Sequence, residues 1–307
     1  VDDENRVTPL DRQGVAPRSA TLEAMDRRRL LLVHAHPDDE TTGTGATMAR
    51  HAAAGDRVAL VTCTSGELGE VVAEDLAHLR ERPDALGEHR RGEIAAALRE
   101  LGEVQHHWLG GPGRWRDSGM AGEDANTADG AFAAADPEQV TREMVAVLRA
   151  ERPHVAITYD EFGGYGHPDH IAAHRALMGA LDPAADPAYA PELGEPWQVR
   201  KVYWQTLPES VLERARAAGV EGFRPSTTPD EQLSAVIDGR DFHESKIAAL
   251  RRYRSQVDLD NGGFFAKLVM HEDFAKEHYV LVRGERGPGS GPHGWEDDLF
   301  AGLAEEF

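Results

Sequence analysis

The chain has 307 residues, 40% of them hydrophobic and 28% charged, with a formal net charge of −21. That is the composition of a globular protein able to bury a large core without covalent staples, and it excludes disorder along the whole chain. The acidic balance argues against a surface that tracks nucleic-acid phosphates or anionic lipid, because both need clustered Lys and Arg. The single cysteine, Cys63, excludes an intrachain disulfide and any multi-cysteine metal site, and it suits a reducing cytoplasm.

Residues 1–27 are polar, lack the apolar stretch of a signal peptide, and are expected to form a surface arm. No run of about 18 apolar residues is present, so no membrane helix is expected. The first apolar run, Leu30 to Val33, reads as a strand buried on both faces and ends in the heptapeptide His34 to Glu40, HAHPDDE. Helical spacing over Thr44 to Ala54, a stop at Gly55-Asp56 and a second apolar run, Val58 to Val61, complete a βαβ unit. The alternation continues with a helix over Gly92 to Leu101, a strand over Val104 to Leu109, a helix capped by Asp136-Pro137 and reaching Glu151, and a strand over His154 to Thr158.

Such alternation predicts an α/β fold, a Rossmann-like open and mostly parallel sheet with helices on both faces. Ligands in such sheets bind beyond the carboxyl ends of the strands. The Pro- and Ala-rich stretch Leu181 to Pro196 predicts a boundary near residue 185, so the catalytic unit is expected over 28–185 and a smaller α/β cap completing the pocket over 186–307. In that cap, strands are expected over Val202 to Thr206 and His278 to Arg283, with helices over Glu209 to Ala218 and Asp241 to Tyr253. Gly287 to Gly294, GPGSGPHG, reads as a flexible linker.

HAHPDDE places two imidazoles and three carboxylates directly after a buried strand. His and carboxylate are the ligands that divalent metals such as zinc favour, and Pro37 stiffens the turn that aims them. A second cluster, Tyr165 to His170 (YGHPDH), follows the strand His154 to Thr158 across a Gly-rich turn. Two strand ends of one sheet can converge on one ion. Read without function, the first cluster is a hydrogen-bonded strand end, and in the second Pro168 starts a helix that its polar neighbours cap.

HAHPDDE with a downstream GHPDH resembles the zinc-dependent deacetylases that act on N-acetylglucosaminyl groups. Val61 to Val71, Gly87 to Glu93 and Gly110 to Gly122 are similar to the branch of that family serving mycothiol biosynthesis, and the likeness covers most of Leu30 to Ala180. It implies that His36, Asp39 and His170 ligate Zn2+, with Fe2+ equally suited to those ligands, and that Asp38 is the general base. It also implies that His167 stabilises the oxyanion, most usefully as imidazolium, with Asp169 tuning it and Tyr165 assisting, and that Arg90, Asp117 and Glu70 contact the sugar. The implied reaction is removal of acetate from the acetamide of N-acetyl-glucosaminyl-inositol. A mycothiol S-conjugate amidase, a deacetylase of a related compound, and a metal- or sugar-binding module without turnover are the alternatives. The partner is then a small amino-sugar inositol, with neither nucleic acid nor membrane involved.

Other conspicuous side chains take plainer roles. His34 is expected to face away from His36 and to be structural. Cys63 and Trp115 are expected to pack, and His106 and His107 to be core or surface residues without a carboxylate partner.

Overall fold

A computed structural model describes residues 27–217 and 224–303, so the expected arm falls, apart from Arg27, outside the described residues. Among the described residues, seven strands form one sheet in the order β3-β2-β1-β4-β5-β7-β6. In chain order the elements are β1 (Arg29–His34), α1 (Asp39–Ala53), β2 (Arg57–Thr62), α2 (Pro83–Leu101), β3 (Val104–Trp108), α3 (Pro137–Glu151), β4 (Val155–Thr158), α4 (Pro168–Ala185), β5 (Lys201–Thr206), α5 (Glu209–Ala217), β6 (Ala235–Asp238), α6 (His243–Leu250), α7 (Phe264–Val269) and β7 (Lys276–Arg283). Strands β1 to β5 pair in parallel, and β7 runs antiparallel to both β5 and β6.

Alternation along the strands builds two cores. Leu31, Val33, Ala59, Val61 and Ala156 pack on one face against α3 and α4 through Met144, Leu148, Leu177 and Leu181. Leu30, Leu32, Val58, Leu60 and Ile157 pack on the other against α1, α2 and the C-terminal half, through Met48, Ile94, Leu98, Tyr203 and Tyr279. Helices thus cover both faces, as a parallel sheet with apolar residues at every position requires. Asp136 caps α3 as expected, its Oδ1 accepting the Glu138 N–H at 2.9 Å ahead of Pro137 at the first helical position.

Past residue 185 the chain adds β5, β7 and β6 to the same sheet, so the Pro- and Ala-rich stretch ends α4 and then connects it to β5 within one continuous sheet. The segment Gly287 to Gly294 is not a free linker. A Cβ on Gly287 would meet the Ala301 carbonyl carbon at 2.2 Å and one on Gly289 the Trp295 oxygen at 2.0 Å, so these glycines permit backbone to pack on backbone. The Gly287 N–H donates to Glu296 Oε1 at 2.6 Å, and Glu296 is wholly buried with Lys201, 2.5 Å away.

His106, His154 and His278 lie outside the two motifs, and burial pushes each down from 6.5 to about 4. His154 is held neutral by geometry as well, its Nδ1 accepting the Arg29 N–H at 3.1 Å. Each folded-state value lies below the unfolded one, so the unfolded chain takes up protons first as pH falls. Their contribution to stability is therefore full above about pH 6.5 and falls towards pH 4, by about 1 kcal/mol per pH unit for each group. The margin in urea midpoint of a chain with asparagine at all three positions over the wild type is expected to be constant from pH 8 to about 6.5 and then to grow towards pH 4; a margin constant to pH 4.5 would contradict this.

Candidate active site

The order β3-β2-β1-β4-β5 reverses direction between β1 and β4, and the switch point opens at their carboxyl ends. Both motifs meet there. β1 ends at His34 and the turn to α1 carries His36, Asp38 and Asp39. β4 is followed by Tyr159, then by a single helical turn over Gly163–Gly166, then by His167, Asp169 and His170 at the start of α4.

The His36 imidazole stands between two groups of acids. Its Nδ1 lies 3.2 Å from Asp39 Oδ2, and its Nε2 lies 3.1 Å from Asp169 Oδ2 and 3.8 Å from Asp117 Oδ1. His170 Nε2 approaches the same Asp39 oxygen at 3.3 Å from the other side. Nε2–H of His36 donating to Asp169 leaves Nδ1 a lone pair; Nδ1–H of His170 donating to the Gly163 carbonyl at 3.1 Å leaves Nε2 one, and that buried nitrogen makes no hydrogen bond. One ring nitrogen fixed as a donor and the other left open is the arrangement of metal-ligating histidines. Burial lowers the affinity of His36 for a proton, yet Asp117, Asp169 and Asp39 together raise it well above 6.5, while His170 and His36 hold Asp39 well below the carboxylate range against its own burial. The site calls for positive charge. Among the described residues, the donors that gather mutually within 4.8 Å form two sets, His36 with His167 and His170, and His36 with Asp117, His167 and Asp169; Asp39 belongs to neither and meets His36 and His170 through its Oδ2 alone. Nitrogen and carboxylate donors of this kind fit a divalent metal.

Asp38 borders this group. Burial, reinforced by Asp39 and Glu40 and opposed by Arg90 and His36, pushes its carboxyl up to about 7, the range that suits a proton acceptor near neutral pH. Burial, with His36 and His170 close by, pushes His167 down to about 4, which favours the neutral ring over the imidazolium. Its Nδ1 accepts the Asp169 N–H at 3.2 Å, so the proton sits on Nε2, where it can be donated. The Asp169 carboxylate turns to His36 and to the Ser118 N–H, 2.9 Å away, rather than to the His167 ring. Tyr165 is 44% exposed, its ring 5.0 Å from that of His170, on a turn whose Gly163, Gly164 and Gly166 all have positive φ.

Of the three expected sugar contacts, only Asp117 borders the cluster. Arg90 is buried, with Nη1 donating to the Gly66 carbonyl at 2.7 Å and Nη2 to the Pro37 carbonyl at 2.6 Å and to Asp38 Oδ2 at 3.3 Å. It braces the turn that carries Asp38. Glu70 is exposed, whereas Glu67 is the buried carboxylate of that loop and accepts the Asp117 N–H at 3.0 Å.

Sequence reasoning missed Tyr159, whose hydroxyl donates to Asp39 Oδ2 at 2.8 Å and accepts the Ala35 N–H at 3.0 Å. Its position directly after β4 was the available signal. His34 is buried against Tyr159 and Thr44, and burial lowers it to about 4. Residues two apart in a strand share a face, so alternation does not separate His34 from His36; β1 ends at His34, and the turn takes His36 elsewhere. Cys63 is buried, and so is Trp115, with its Nε1–H on Glu143 at 2.7 Å. His107 does have a carboxylate partner, Glu151 at 2.9 Å, brought to it by α3.

A Rossmann-like sheet with a His/Asp metal group, a buried carboxylate and a proton-bearing imidazole at its switch point is the framework of a metal-dependent hydrolase. The family model for GlcNAc-PI de-N-acetylases, PIG-L, matches residues 31–181, and the chain belongs to this family of deacetylases. It is 74% identical over 273 residues to 1D-myo-inositol 2-acetamido-2-deoxy-alpha-D-glucopyranoside deacetylase 2 of Saccharopolyspora erythraea, across 89% of this chain and 100% of that one. It is 50% identical to the Streptomyces avermitilis deacetylase of the same description, across 90% of this chain and 98% of that one. The fold is shared with N,N'-diacetylchitobiose deacetylase from Pyrococcus horikoshii at a TM-score of 0.61 and 18% identity, covering 89% of this chain and 95% of that one.

Proposed function

We propose that the chain hydrolyses the acetamide of 1D-myo-inositol 2-acetamido-2-deoxy-α-D-glucopyranoside to glucosaminyl-inositol and acetate, as a cytoplasmic step of mycothiol biosynthesis. Two near full-length relatives carry that activity in their descriptions. The observation that carries the chemistry is the convergence of His36 Nδ1 and His170 Nε2 on Asp39 Oδ2, with Asp38 beside them. These three residues would hold the metal, zinc on this reading, which when bound polarises a carbonyl and acidifies water.

The chain's own groups do the rest. Asp38 accepts a proton from the attacking water at its carboxylate and passes it towards the departing amine. His167 donates from Nε2–H to the oxygen that gains charge as the carbonyl carbon becomes tetrahedral. Tyr165, on its glycine turn, offers a second donor, and Asp169 fixes the His36 ring. Asp117 meets the sugar, with Arg90 acting through the turn it braces and Glu70 at the outer rim. Residues 28–185 supply the chemistry and residues 186–307 complete the pocket.

The test is release of free amine from the acetylated sugar-inositol, with a mycothiol S-conjugate in parallel. A kcat/KM at least about tenfold higher on the sugar is expected, a difference of about 1.4 kcal/mol in transition-state binding. Preference for the conjugate would move the assignment to the amidase, and metal binding without turnover of either compound would favour a binding module.

A further inference from the structure

Asp38 has φ 103°, a left-handed backbone that a residue with a side chain keeps only where its surroundings hold it there. Arg90 braces it from α2 through the Pro37 carbonyl and the Asp38 carboxylate. On its own backbone, the Asp38 carbonyl accepts the Thr42 N–H at 2.9 Å and the Asp38 N–H donates to Glu40 Oε2 at 3.0 Å. Glu40 has no exposed surface, and its Oε1 accepts the Tyr253 hydroxyl at 2.5 Å and the Thr41 hydroxyl. Tyr253 comes from 213 residues further along the chain, just past α6, and is wholly buried. Ser255, two residues on, binds both oxygens of Glu93, by N–H at 2.8 Å and by Oγ at 2.6 Å, and Glu93 lies one turn along α2 from Arg90. The stretch from Tyr253 to Ser255 therefore grips both supports of Asp38.

We propose that Tyr253, acting through Glu40, is a positioning residue that keeps the Asp38 backbone in the left-handed turn aiming its carboxylate at the site. The inference rests on the reading of Asp38 as proton acceptor. Without the Tyr253 hydroxyl, Glu40 Oε1 keeps only its sequence neighbour Thr41 and loses the donor that ties it to the C-terminal half, so the Asp38 N–H loses a firmly held acceptor and the turn relaxes towards negative φ. The C-terminal half then serves the chemistry as well as enclosing the pocket.

The molecule carries its own control. Tyr203 donates to Glu296 Oε2 at 2.6 Å in an equally buried setting, and neither residue belongs to the site. Tyr253→Phe and Tyr203→Phe are compared for kcat, KM, bound metal, thermal midpoint and hydrogen exchange of the Asp38 amide, with Glu40→Gln and Glu40→Ala as a second pair. Tyr253→Phe is expected to lower kcat about tenfold, with KM within about twofold and metal unchanged, and to speed exchange at Asp38. Tyr203→Phe is expected to lose a similar thermal margin with kcat and that exchange unchanged. Glu40→Gln, which keeps an acceptor, retains kcat within about threefold, whereas Glu40→Ala does not. Unchanged kcat or unchanged Asp38 exchange in Tyr253→Phe would overturn the proposal, as would equal loss of kcat in Tyr203→Phe. A wild-type chain silent on the acetylated sugar would instead remove the reading of Asp38, while the exchange comparison would still decide whether Tyr253 fixes the turn.

Discussion

Replacing Asp38 by asparagine is expected to lower kcat about a thousandfold while KM and bound metal stay near the wild-type values. The amide has the shape of the carboxylate and can still accept from Arg90 Nη2, 3.3 Å away, but it cannot take a proton from water. Asparagine also tolerates positive φ better than most residues, so the 103° turn is preserved and loss of fold does not explain the loss of rate. Steady-state kinetics on protein of measured metal content checks this. A fully metallated Asp38→Asn chain with wild-type kcat would remove Asp38 from the role.

His170→Ala is expected to act on the metal first. It deletes the open Nε2 opposite Asp39 and the ring that stacks on Tyr159 with centroids 4.2 Å apart, and leaves His36 and Asp39 facing one another without their third partner. Changing a mere outer partner of a ligand costs about 10- to 100-fold in affinity, so losing a ligand is expected to cost at least about 100-fold. After dialysis against a chelator of matched affinity, the variant should hold little metal where the wild type holds one ion per chain. Activity should track whatever metal is restored. Full occupancy in His170→Ala would show that the ligands lie elsewhere among the cluster's donors.

The two clusters were legible because their chemistry is local in sequence: each is a run of His and Asp directly after a strand whose apolar residues announce burial. The parallel part of the sheet was legible for the same reason, through alternation of short apolar runs with helical spacing. What escaped was set by distance along the chain. Arg90 looks like one more charge on an acidic helix until the fold brings the Pro37 carbonyl, 53 residues away, onto its guanidinium. Glu40 stood in view inside HAHPDDE, but its partner Tyr253 lies across the whole catalytic unit. β6, Ala235–Asp238, has only four residues at the sheet edge and too little periodicity to be seen, and the placing of β7 between β5 and β6 is fixed by pairing rather than by local pattern. GPGSGPHG misled because glycine serves both flexible chains and close backbone contacts, and only the Ala301 and Trp295 backbone beside it tells which.

In the proposed function His36, Asp39 and His170 hold the metal on which amide hydrolysis depends. The most direct measurement strips the chain of metal, refills it with zinc or with ferrous iron, and follows ion stoichiometry and amine release together. One ion per chain is expected, with deacetylation rising in proportion to it. Full turnover by the stripped chain, or stoichiometric refilling that restores none, would contradict the account.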